Sequence, residues 1–225
     1  PYENKNIFFT YRIKRTNGGR LATLSDNYYK NEKTKDKFYI LCFSCRSDRG
    51  ELINKPRMWS QYGNNHNGCC IILNKDNFEN SYSHLRHHQM DKSEINYDLN
   101  ENYEKVETKS KELSRFVDEK TNIDKIRDFI WDNRDIYLFK KMRDWYEESE
   151  FRYCIYSSKT NDEIYLEIKD SIDCIVLGDK VSNFMRNSIY NYCEEKNIIL
   201  KQIYWKNGYP VESIVKDIID TAKIF

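Results

Sequence analysis

The sequence predicts an α+β fold: a mixed or antiparallel split sheet, interrupted by a helical insertion and closed by a C-terminal helix. Three features point there. β-rich runs of strand length occupy both ends of the chain, apolar residues at helical spacing occupy its middle, and the 225 residues contain no internal repeat or low-complexity linker. That length supports one well-buried core, so residues 1–225 are expected to form a single domain, with 82–140 as a polar excursion and helical insertion.

The elements follow in order. Ile7 to Ile13 is a β-rich run ended by the turn signal Asn17-Gly18-Gly19. Phe38 to Ser44 and Gly68 to Leu73 are apolar runs as long as buried strands, the second closed by Asn74-Lys75-Asp76-Asn77. Tyr82 to Asn102, with His84, His87 and His88, is polar and irregular and reads as a surface excursion. Val106, Leu113, Phe116 and Val117 carry helical spacing, continued by Ile123, Ile126, Phe129, Ile130 and Tyr137. Thr121 to Asp124 offers a break and N-cap between two helices. After Trp145 strands return: Phe151 to Tyr156, Glu163 to Ile168 and Ile172 to Leu177, the last ending at Gly178. Val181 to Glu195 reads as helix, Ile198 to Trp205 as strand, and Glu212 to Ile224 as the terminal helix.

Composition narrows the class. Lys and Arg number 37 against 36 Asp and Glu, so a net charge of +1 gives no reason to expect wholesale nucleic-acid or acidic-membrane binding. No apolar run approaches the roughly 20 residues of a bilayer span, and no charged-then-apolar leader opens the chain. Seven cysteines, an odd number, fit a reducing compartment. The expectation is a soluble, cytoplasmic protein with no membrane partner. Only 7 Gly and 3 Pro argue against disorder, while 18 Tyr put hydroxyls in the core and in any cleft.

Three segments carry candidate chemistry. In Trp145-Tyr146-Glu147-Glu148-Ser149-Glu150-Phe151-Arg152, strand geometry puts Glu148, Glu150 and Arg152 on one face. Two neighbouring carboxylates repel, and Arg152 supplies the compensating charge. Such a group holds a ribose hydroxyl, stabilises a cationic transition state or acts as a general base; the plain alternative is a solvated strand edge with ion pairs. In Met58-Trp59-Ser60-Gln61-Tyr62-Gly63, followed by His66 and Gly68, Trp59 and Tyr62 share a helical face. Tyr62 or Trp59 could stack on a flat ring and His66 could bind an anion or move a proton, whereas Trp59 as a packing anchor is the plain reading. Cys42-Phe43-Ser44-Cys45 suggests zinc with Cys69-Cys70 as a second pair, yet adjacent strand cysteines point to opposite faces, so no metal is expected. Neither a Gly-rich phosphate loop nor a Gly-x-Ser-x-Gly elbow is present.

In this order the segments resemble a bacterial family catalogued as domain of unknown function 2971. The matching residues are Thr10-Tyr11-Arg12, Leu41-Cys42-Phe43-Ser44, Met58-Trp59-Ser60-Gln61-Tyr62 with His66 and Gly68, Trp145 through Arg152, and Ile175-Val176-Leu177-Gly178. Ser25-Asp26-Asn27-Tyr28-Tyr29 stands where the family carries Asn-Asp-Pro-aromatic-Glu, without the Pro or the acid. An Arg on an early strand, a Ser on a middle strand and a Glu-x-Glu on a late one also look like the constellation of ADP-ribosyltransferases. That resemblance implies NAD as substrate. Arg12 would hold ribose or phosphate, Ser44 would order the site, and Glu150 would bind the nicotinamide-ribose hydroxyls. Glu148 would orient the acceptor, with Tyr62 or Tyr11 stacked on nicotinamide. The stretch between Ser44 and Glu150 is longer than compact transferases need.

The implied function is an NAD-dependent transferase acting on a nucleic acid or protein, as a toxin or phage-defence effector with an antitoxin or regulatory partner. Two alternatives stand beside it. One is a nucleotide- or partner-binding module without chemistry, and the other a metal-dependent nuclease using Glu148, Glu150 and Asp144. For the enzyme, Glu150→Gln is expected to abolish NAD turnover without lowering the melting temperature.

Overall fold

The computed structural model describes residues 5–9, 38–45, 52–85, 88–97, 103–118, 123–157, 166 and 168–216. In chain order the elements are β1 (Lys5–Phe9), β2 (Phe38–Cys45), α1 (Pro56–Gln61), β3 (Cys69–Asn74), α2 (Lys75–Ser81) and β4 (Gln89–Glu94). There follow α3 (Tyr103–Asp118), α4 (Ile123–Asp132), α5 (Arg134–Tyr137), β5 (Glu150–Tyr156), β6 (Ile172–Leu177), α6 (Asn183–Glu195), β7 (Ile199–Lys206) and β8 (Tyr209–Ile214). Helices and strands mix in the α+β manner that the sequence predicts. They fall into two compact units, one from residues 1–12, 43–84 and 166–225, the other from 13–42 and 85–165.

In the first unit the strand order is β1–β3–β6–β7–β8. β3 runs antiparallel to both β1 and β6, β6 and β7 are parallel, and β7 and β8 form an antiparallel hairpin. The parallel pair needs a crossover, and α6 supplies it, started by Ser182, whose hydroxyl accepts the Met185 N–H at 3.3 Å. Adjacent Cys69 and Cys70 do point to opposite faces: Cys70 packs with Trp59, Ile72, Val176 and Ile203, and Cys69 with Leu177, Val181 and Cys193. The polar run after β3 is α2, capped by the Asn74 side chain, which accepts the Asn77 N–H at 3.0 Å.

In the second unit the order is β4–β5–β2, with β4 antiparallel to β5 from Gln89↔Tyr156 to Glu94↔Phe151. The core joins Phe38 of β2, Cys154 and Tyr156 of β5, and Leu113, Ile126, Ile130 and Trp131 of the helices. Phe38 and Tyr156 stack at 5.2 Å.

Two expectations are corrected. The polar excursion contains β4, a strand at the end of its sheet whose sequence Gln-Met-Asp-Lys-Ser-Glu has no apolar alternation to betray it. The expected terminal helix begins as β8, because Asn207 (φ 53°) and Gly208 (φ 81°) form a two-residue hairpin turn that returns the chain along β7. The expected strand over 163–168 lies mostly outside the described residues, and Leu166 and Ile168 belong to no strand.

Candidate functional site

In the second unit the Glu-x-Glu-x-Arg segment is a buried, charge-balanced cluster. Its scaffold comes from afar: Asn96 bridges to Lys140, with the Asn96 N–H on Phe139 O at 2.9 Å and the Lys141 N–H on Asn96 O at 3.1 Å. A short 3-10 turn, Arg143–Glu148, then ends at Ser149 in the left-handed conformation (φ 44°), and β5 begins at Glu150. Glu148 therefore does not share the strand with Glu150; the turn brings it alongside instead. Both carboxylates are buried, at 4% and 6% exposed.

Two cations hold them. The Arg152 guanidinium donates from Nε to Glu150 Oε1 at 2.6 Å and from Nη2 to Oε2 at 3.2 Å, a two-point clamp, and its Nη1 donates to Leu138 O at 2.6 Å. Lys141 Nζ reaches both Glu148 Oε2 and Glu150 Oε2, the latter at 3.1 Å, and lies 4.9 Å above the Trp145 ring. The Glu150 backbone is fixed as well, its N–H given to the Tyr97 hydroxyl at 2.9 Å and its carbonyl accepting the Ile95 N–H at 2.9 Å. Burial alone would raise the Glu150 carboxyl, but the Arg152 charge and hydrogen bonds, Lys141 and the Cys42 thiol outweigh it and hold it below the usual range. The residue surface of Cys42 is exposed, yet the protein around its thiol desolvates it. That desolvation, followed by the Glu150 charge, pushes the thiol up to about 12. Arg152 is raised by the same carboxylate against its own burial, so the pair stays ionised. A carboxylate of fixed orientation in a desolvated setting suits electrostatic stabilisation of positive charge.

In the first unit the Met58-to-Gly68 segment is the end of α1 followed by a tight loop with a left-handed run. Pro56 opens α1, and Trp59 is fully buried, its indole N–H given to Ile53 O at 2.7 Å, so it is core. Tyr62, the other aromatic side chain of the segment, is half-buried at the helix end. Asn64, Asn65 and His66 all have positive φ (50°, 52° and 71°), an unusual run for residues with side chains. Backbone bonds hold them there: Gly68 N–H to Gly63 O at 2.7 Å, His66 N–H to Trp59 O at 3.2 Å, and Lys180 N–H to His66 O at 3.1 Å. A Cβ on Gly178 would lie 2.2 Å from His66 O, so the glycine that ends β6 is what admits the loop. His66 contacts Trp205 and Asp179. Ser44 is half-buried on β2, paired in register with Ile7.

The geometry thus groups Glu148, Glu150 and Arg152 in one unit, and Ser44, Trp59, Tyr62 and His66 in the other. Tyr11 and Arg12 lie outside the described residues. Sequence reasoning missed Lys141, Tyr97 and Asp179. Among the described residues no three His, Cys, Asp or Glu are grouped to hold a metal ion, and no helix is long and apolar enough to cross a membrane. No curated protein and no solved structure matches the chain. Residues 58–153, which span the Met-Trp-x-x-Tyr loop and the Glu-x-Glu-x-Arg cluster, match the family described as Protein of unknown function (DUF2971), the one its motifs resemble.

Proposed function

We propose that the protein is an NAD-consuming ADP-ribosyltransferase with a nucleic-acid or protein acceptor, acting in the cytoplasm as a toxin or defence effector under a partner's restraint. One observation carries the reading: Glu150 is buried, ionised and held in one orientation by Arg152, Lys141 and Tyr97. In the reaction the bond between the ribose C1′ and the pyridinium nitrogen breaks, its electrons leaving with neutral nicotinamide. The acceptor's oxygen or nitrogen bonds to C1′ and its proton passes to solvent. Glu150 faces the oxocarbenium character that develops in between, and Glu148 orients the acceptor.

The test is release of nicotinamide from NAD by the wild-type protein, with Glu150→Gln as the control. Glu150→Gln is no longer expected to be neutral in stability, because it leaves the Arg152 guanidinium buried without its counter-charge. The variant must therefore be assayed at a temperature where circular dichroism shows it folded.

A second reading is favoured by the charge balance itself. Two carboxylates and two cations neutralise each other without a substrate, as befits a module that binds a nucleotide and does no chemistry. That reading expects NAD to raise the melting temperature with no nicotinamide formed on prolonged incubation.

A further inference from the structure

The imidazole of His66 offers one nitrogen to two partners with opposite demands. Trp205 Nε1–H lies 3.3 Å from Nδ1 and needs a lone pair there. Asp179 Oδ1 lies 3.3 Å from the same nitrogen and needs a proton there. That oxygen is sealed from solvent and makes no hydrogen bond. A ring nitrogen carries a lone pair or a proton, never both, so only one contact is satisfied at a time.

We propose that His66 is a two-state proton switch. Neutral, with its proton on Nε2, it accepts from Trp205; protonated, it donates Nδ1–H to Asp179 and releases the indole N–H of Trp205. The ring has little room to escape the choice. Trp59 stacks on it with 18° between planes, Trp205 meets it edge-on at 87°, and the backbone of the loop is bonded on both sides. Other charged or titratable groups on the elements packed around it are Lys55 and Arg57 at α1, Tyr62 after it, Cys69 and Cys70 on β3, Asp173 and Cys174 on β6, Lys180 beside Asp179, Lys201, Tyr204 and Lys206 on β7, and Tyr209 and Glu212 on β8. Among the described residues, Asp179 alone reaches the imidazole in an ion pair. Acidification thus exchanges a bond to β7 for a bond to the turn after β6. It leaves the half-buried Trp205 with an indole N–H released to an acceptor group. The inference is independent of the transferase reading.

The experiment is a titration of the ¹⁵N-labelled full chain between about pH 5 and 8, the window in which histidine changes charge. It follows the Trp205 indole ¹H–¹⁵N peak, identified by its loss in Trp205→Phe, and the His66 ring nitrogens. The indole proton is expected to move upfield on acidification with the same midpoint as His66, and Asp179→Asn to lower that midpoint while Trp205→Phe raises it. An indole peak that stays still while His66 titrates would overturn the proposal. So would a His66 that keeps its proton on Nδ1 throughout. The wild-type titration decides even if a variant does not fold.

Discussion

At the scale of single residues, the cluster around Glu150 makes Lys141 its most consequential neighbour, because one ammonium serves two buried carboxylates. Lys141→Met removes the ammonium that Glu148 and Glu150 share and is expected to cost about 3–5 kcal/mol in urea unfolding, as losing one partner of a buried ion pair does. Cys42 gives a chemical readout of the same field. Its residue surface is exposed, but the thiol is pushed up to about 12, by burial first and the Glu150 carboxylate second. Alkylation near neutral pH is therefore expected to be roughly a hundredfold or more slower than for a free cysteine. Glu150→Gln should speed it, as peptide mass spectrometry can follow. The sequence showed Glu150 and Arg152 through two-residue alternation. Lys141 was not legible: it lies nine positions upstream and is placed by the bridge between Asn96 and Lys140, a pairing no local pattern signals.

At the scale of elements, glycines separate two kinds of constraint. At Gly178 the constraint is steric: a methyl would meet the His66 carbonyl at 2.2 Å, and backbone cannot step aside as a flexible side chain can. Gly178→Ala is expected to cost about 1–3 kcal/mol or more and to disorder the 63–68 loop, seen as loss of amide exchange protection there. At Gly208 the surroundings are open and only the left-handed φ of 81° matters, so Gly208→Ala should cost about 1–2 kcal/mol. Comparing the two melting curves checks the distinction. The Asn207-Gly208 pair was in plain view and its hairpin was missed because the residues after it were read at helical spacing. β4 was hidden for a different reason: a strand at a sheet's end need not bury either face, so nothing alternates. Strands buried on both faces, β3 and β6, were the most legible because their apolar runs have the length of a strand and end in turn residues.

For the whole molecule, the electrostatics of one cluster should be visible in acid stability. The Glu150 carboxyl is held below its ordinary value of 4.5, so the stability it contributes is fully present above 4.5 and is lost as pH falls through the lower folded value. The gap between wild-type and Glu150→Gln melting temperatures is therefore expected to be constant near neutral pH and to close as the pH drops below about 4.5. A gap that stays constant to pH 3 would mean that the carboxyl titrates alike in the folded and unfolded chain and that the cluster does not hold it down. The direct measurement is nicotinamide release from NAD by the wild-type chain, with nucleic-acid and protein acceptors supplied, against Glu150→Gln held at a temperature where it is folded. Release by the wild type and none by the variant is the predicted result. Equal release by both, or a wild type that binds NAD and forms no nicotinamide, would contradict it.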